Sequence, residues 1–286
     1  MRLIPVFFIL QTLLSCNNHS KVQPSGVRKE TRYEGGALLN KIYIVHPDTL
    51  LKDYNKWYNY TYFNVQLSQD FVGLDTDSAR IDKTAFLNKL INERVVAFRI
   101  RLLQGEPVYK LYKLGNSNEN IRSTSAQLAS IEMKNYQMEG QQVPGFDFTD
   151  LNNNHYNTAA TQGKILLLKC WFIHCVACVK EFPACNQLVD DYGGRNDVLF
   201  ISLASDAKKD LEDFLPTKPF KFAVIPELGD YMTNKLKISM YPTYLLIDRT
   251  GRIAKVVNSI EEIKPFLKTA VEKLHDSTPA QHLHSQ

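Results

Sequence analysis

Cys175-Val176-Ala177-Cys178 stands at the end of a strongly apolar run, residues 164–172, and at the start of an amphipathic one that continues to about Tyr192. A dithiol where a buried strand hands over to a helix has its first sulfur at the helix N-terminus. There, unpaired backbone N–H groups and the helix dipole favour the thiolate. The two intervening residues bring the second sulfur within one turn of the first. Cys178 can therefore attack a mixed disulfide formed on Cys175 and release the partner. Read this way, Cys175 is the nucleophile, Cys178 resolves, and the redox-active disulfide between them is the only cofactor required. A zinc site would need two further ligands at familiar spacings, whereas Cys170 and Cys185 flank the motif singly. A purely structural bridge across Val176 and Ala177 would return little chain-entropy stabilisation.

The elements that hold this motif follow from periodicity. Strands are expected at 164–172, 198–203 and 222–225, a hairpin at 244–248 and 253–257 across Arg249-Thr250-Gly251-Arg252, and a second hairpin at 146–151 with His155-Tyr156. Helices are expected at 175–192, 207–215 and 260–274. Strands alternating with helices and closing on a hairpin plus helix predict an α/β domain with a mixed central sheet flanked by helices. The segment 140–145, Gly-Gln-Gln-Val-Pro-Gly, marks its start.

Taken together, these pieces resemble the thioredoxin-like superfamily, and within it the membrane-anchored disulfide reductases of the TlpA and ResA kind (redoxin or AhpC/TSA domains). The likeness covers roughly 140–274. It is carried by Gly163-Lys164 before the strand, Trp171 ahead of the two cysteines, Lys180-Glu181-Phe182-Pro183 after them, and Tyr241-Pro242-Thr243 followed by Leu246-Ile247-Asp248 and Gly251. The resemblance implies that Pro183 kinks the active-site helix. It also implies that Pro242 is a cis-proline facing the dithiol, and that Trp171, Tyr241, Pro242 and Thr243 meet the substrate. Three departures stand out. Lys169 occupies the place of the family's buried acid, Val176-Ala177 lacks the usual proline, and His174 precedes the first cysteine. Lys169, His174 and Glu181 are accordingly candidates for tuning the dithiol. For Lys169 the competing expectation is a stem along the core with its ammonium in water; for Glu181 it is a solvated carboxylate. Cys170 and Cys185 are expected to pack as small hydrophobes. A thiol peroxidase of the peroxiredoxin type is the nearest alternative activity. That family's motif places a hydroxyl residue where Phe172 stands.

Upstream, residues 1–15 carry Arg2 and a short apolar stretch in the manner of a signal peptide. Leu13-Leu14-Ser15-Cys16 resembles the lipobox of bacterial lipoproteins, which implies lipidation at Cys16 and a lipidated tether over 16–36. A smaller α+β domain is expected at 37–138, with helices at 75–92 and 121–138 and a hairpin at 95–102 and 108–114. Its role is open between docking, dimerisation and partner choice. The aromatic cluster Trp57, Tyr58, Tyr60, Tyr62 and Phe63 is read as core rather than binding surface. The thioredoxin-like domain is placed at 140–275 and a disordered tail at 276–286.

A formal charge of +4 over 286 residues, with 44% hydrophobic residues, fits globular domains and gives no nucleic-acid footprint. The expected setting is the cell envelope of a bacterium, lipid-anchored and facing the periplasm. Expected partners are exported proteins with disulfides, including apocytochromes, and a membrane electron donor. No metal is expected. A non-enzymatic envelope binding lipoprotein is the remaining alternative.

Overall fold

The computed structural model describes residues 45–100 and 106–272. The expected leader, Cys16, the tether at 16–36, the end of the first hairpin strand near Leu102 and the tail at 276–286 lie outside the described residues.

The first half begins with helices α1 (Pro47–Leu50) and α2 (Tyr54–Asn64), then β1 (Val72–Leu74) and β2 (Arg80–Ile81). Helix α3 (Lys83–Asn92), strands β3 (Val95–Ile100) and β4 (Val108–Lys113) and the long helix α4 (Glu119–Met138) complete it. The four strands form one sheet in the order β2-β1-β4-β3. Both faces of β3 are buried. Val96, Phe98 and Ile100 pack with Trp57 and Tyr60 of α2, while Val95 and Ala97 pack against Phe86, Leu87 and Leu90 of α3 and Ala129 and Met133 of α4.

The helix expected at 75–92 is shorter than its pattern suggests. Ser78 takes a left-handed conformation (φ 71°), Asp75 N–H donates to the Ala79 carbonyl, and Arg80–Ile81 join the sheet. Helix α3 begins only where the Asp82 carboxylate accepts from the Ala85 N–H at 2.8 Å, a side-chain N-cap. The aromatic cluster is likewise divided: Trp57 and Tyr60 are core, but Tyr58, Tyr62 and Phe63 are 40, 68 and 72% exposed.

The second half follows the expected grammar. A short hairpin, β5 (Asp147–Thr149) and β6 (His155–Asn157), precedes β7 (Ile165–Trp171), α5 (Val176–Lys180), α6 (Phe182–Asp191), β8 (Val198–Ala204), α7 (Lys208–Phe214) and β9 (Ala223–Ile225). Strands β10 (Thr243–Ile247) and β11 (Ile253–Val257) and helix α8 (Ile260–Glu272) close the domain. The five-stranded sheet has the order β11-β10-β7-β8-β9. Strands β7, β8 and β9 are parallel, and β10 runs antiparallel to β7 and β11. Central β7 is buried along its whole length, which is why it reads as an unbroken apolar run rather than an alternation. Leu166, Leu168 and Cys170 face one core. Ile165 and Leu167 face the other, beneath α6 and α8.

The segment after α4 turns at Gly140 (φ 80°) and bonds to β11, with Gly140 N–H donating to the Ile253 carbonyl and Ile253 N–H to the Gln141 carbonyl. Three side-chain links tie α4 and its neighbourhood to the second half: Asn135 to Asn258 at 2.8 Å, Lys255 to Glu139 at 3.0 Å, and Ser68 to Glu262 at 2.5 Å.

One buried carboxylate makes the stability of this region pH-dependent. Glu132 of α4 pairs with Lys83 at 3.0 Å, but burial outweighs that cation and pushes its carboxyl up to about 7. Because the folded value lies above the unfolded one, folding takes up a proton. The stabilising contribution is full below about pH 4.5 and is lost as pH rises toward 7, on the order of 3 kcal/mol for a shift of this size. Denaturant titrations from pH 4.5 to 8 should show this decline, and Glu132→Gln should flatten it. Equal slopes for the two proteins would remove Glu132 as the source.

Candidate active site

The dithiol sits where β7 ends. After Trp171 the chain makes a tight turn, anchored by the Ile173 N–H donating to the Asp206 carboxylate at 2.9 Å. Cys175 is the N-cap of α5, and its Sγ accepts from the Cys178 N–H at 3.2 Å. The two sulfurs are joined in a disulfide. Their surroundings differ: Cys175 retains 8% exposure at the surface, whereas Cys178 is completely buried. The expected single helix over 175–192 is two helices meeting at Glu181. Pro183 follows that break and, having no N–H, cannot extend the α5 ladder.

The loop opposite carries the cis Tyr241–Pro242 peptide bond. Tyr241 lies edge-on to Phe172, ring centroids 5.3 Å apart. Asn258 fixes this loop: its amide donates to the Pro242 carbonyl at 3.1 Å and to Thr243 Oγ1 at 2.9 Å, while its oxygen accepts from Asn135 of α4. Two of the expected substrate residues have their side chains in the core. Trp171 is fully buried, edge-to-face with Phe182, and supports the motif from below. Thr243 is buried too and turns its hydroxyl to the Met240 carbonyl at 2.7 Å. His174 is exposed in the turn before Cys175.

Lys169 and Glu181 come together. Lys169 is completely buried, so its ammonium does not reach water. Its Nζ donates to Glu181 Oε2 at 3.0 Å and to the hydroxyl of Tyr244, its cross-strand partner on β10. The Tyr244 hydroxyl donates to the same carboxylate oxygen at 2.6 Å. Glu181 Oε1 accepts from the Ile260 N–H at the start of α8, at 3.1 Å. Burial raises the Tyr244 phenol well above its ordinary value and so keeps it a donor. Cys185 Sγ lies 3.3 Å from the same hydroxyl, and burial raises the thiols of both Cys170 and Cys185. Their expected inertness agrees with that, since an un-ionised buried thiol is a poor nucleophile. Glu181 is thus a fixed, bonded carboxylate three residues beyond Cys178, not a solvated one.

Tyr244, Asn258, Asn135 and Asp206 were not singled out from sequence. Tyr244 had a usable signal, since a polar head within the apolar run of β10 beside a buried lysine invites pairing. The others act through contacts between distant segments.

A mixed sheet of this order, with a disulfide at the β7–α5 junction facing a cis-proline loop, defines a thioredoxin-like thiol-disulfide oxidoreductase. Residues 138–271 match the Redoxin family. ResA, named a thiol-disulfide oxidoreductase, from Geobacillus thermodenitrificans is 25% identical over 133 residues, covering 46% of this chain and 76% of its own. The protein of that name from Bacillus cereus strain ZK is 25% identical over 135 residues, covering 47% and 78%. Among solved structures, the thioredoxin domain of a thiol-disulfide oxidoreductase from Bacteroides vulgatus superposes with a TM-score of 0.41 at 18% identity, covering 46% of this chain and 97% of that one. The second half of the chain thus matches the Redoxin family and is similar to ResA thiol-disulfide oxidoreductases. Among the described residues no helix is long and apolar enough to cross a membrane, and none group as a three-ligand metal cluster.

Proposed function

We propose that the protein reduces or exchanges disulfides of exported proteins in the bacterial cell envelope. The Cys175 thiolate attacks one sulfur of a substrate disulfide, forming a mixed disulfide and expelling the other substrate sulfur as thiolate. Cys178 then attacks Cys175 Sγ, closing the Cys175–Cys178 disulfide and releasing the second substrate thiolate. Two electrons pass to the substrate, and an external dithiol donor in the membrane supplies two more, which reopen the Cys175–Cys178 disulfide. The observation that carries these roles is the difference in exposure between the two sulfurs, with the accessible one at the helix N-cap accepting an N–H. The placement in the envelope, tethered through lipidated Cys16, rests on Leu13-Leu14-Ser15-Cys16 after an apolar stretch. Apocytochromes are included among the proposed substrates by the likeness to ResA.

Reduction of insulin disulfides by a dithiol donor, run beside hydrogen-peroxide consumption, tests the activity. We expect insulin reduction well above the uncatalysed rate and no comparable peroxide turnover. The reverse pattern would make the protein a thiol peroxidase, and neither activity would leave a binding protein. Mass spectrometry of the mature protein should find lipid on Cys16 with no residue before it; an unlipidated mature form would remove the anchor.

A further inference from the structure

A cavity of ≈ 740 Å³ opens between the two halves of the molecule. Its near end is the active edge, where Ala177, Met240 and Pro242 line it beside the dithiol. Its far wall is α2, which contributes Tyr58, Tyr62 and Phe63. The volume falls in the range of sites that enclose several side-chain-sized groups. Three large neighbouring rings left 40 to 72% exposed form an apolar patch of the kind that marks an interaction site. Tyr62 and Phe63 pack edge-to-face with centroids 5.0 Å apart, so they present one joint surface. The charged residues lining the cavity are all carboxylates, Glu132, Glu181, Glu261 and Glu262. Of these, Glu262 is held by the hydroxyls of Ser68 and Ser259. Glu132, Glu181 and Glu261 are paired with Lys83, Lys169 and Lys264, so the charge of Glu262, held by neutral hydroxyls, is what favours a basic guest over an acidic one. The cavity reaches the motif at Ala177, between the two cysteines, so a chain bringing a disulfide to Cys175 can extend into it beside its cysteine.

We propose that the cavity seats the segment flanking the substrate cysteine and selects segments with aromatic and basic side chains, with Tyr58, Tyr62 and Phe63 determining specificity. This rests on the reading of Cys175 as the attacking thiol, and it gives the N-terminal half the task of choosing substrates. The link from Asn135 through Asn258 to the Pro242 carbonyl fits that division, because the same half that supplies the aromatic wall also braces the loop next to the dithiol.

The test measures binding without chemistry. Fluorescein-labelled peptides carry serine in place of cysteine, flanked either by Phe and Lys or by Ser and Glu, and Kd is read by fluorescence anisotropy. The Phe/Lys peptide should bind about tenfold more tightly or better, the scale of a single interface anchor. Tyr62→Ala/Phe63→Ala, at exposed positions, should bring the two affinities to about the same value, with a thermal melt confirming that the variant folds. No discrimination by the wild-type protein, or a preference that survives in the folded variant, would overturn the proposal. Failure of insulin reduction would instead strike the reading of Cys175, since this binding measurement needs no reactive thiol.

Discussion

Cys178→Ser is expected to turn the protein into a trap. Cys175 keeps its surface exposure and can still attack, but no second sulfur releases the partner, so substrate accumulates as mixed disulfides that dissolve under reducing electrophoresis. Multiple-turnover insulin reduction should fall to the uncatalysed background. Cys175→Ser should reach the same background with no trapped species, because the remaining sulfur at position 178 is completely buried. Trapping through Cys178 in the Cys175→Ser protein, and not in the other, would reverse the two roles.

The second large effect is on stability. Lys169→Met preserves most of the side-chain volume but strips the cation from a carboxylate that is only 18% exposed. Breaking one partner of a buried pair costs about 3–5 kcal/mol. The low end applies here, because the Tyr244 hydroxyl and the Ile260 N–H still bond to Glu181. Denaturant unfolding should therefore show a loss of about 3 kcal/mol. Glu181→Gln should also destabilise, by leaving the Lys169 ammonium uncompensated in the core. The double variant should lose less than the sum of the two, with a coupling of about 1 kcal/mol or more. Additive losses would mean that the ion pair contributes nothing beyond packing.

What the sequence revealed tracks how local each signal is. Cys175 and Cys178 declare themselves by spacing at a strand–helix junction, and β7 by an apolar run that only a strand buried on both faces needs. The turn at 75–79 was hidden because Asp75, Asp77 and Asp82 suit a helix start equally well; only the cap at Asp82 decides which one serves. The family resemblance sets Trp171 among the substrate residues, yet residues alternate sides along a strand and its ring packs in the core with Cys175 and Cys178. The Lys169–Tyr244–Glu181 cluster joins residues far apart in sequence and depends on the register that sets Tyr244 opposite Lys169. The aromatic residues of α2 divide between core and cavity by helical phase against β3, which composition alone does not show.

Cys175 and Cys178 form a reversible two-electron couple if the site works as proposed. Equilibration across a series of dithiothreitol redox buffers, followed by thiol alkylation and mass spectrometry, tests it most directly. Cys175 and Cys178 should become alkylated together in one reversible two-electron transition, while the alkylation of buried Cys170 and Cys185 does not change with potential. Separate transitions for the two cysteines, or a disulfide that exchanges to Cys170 or Cys185, would contradict it.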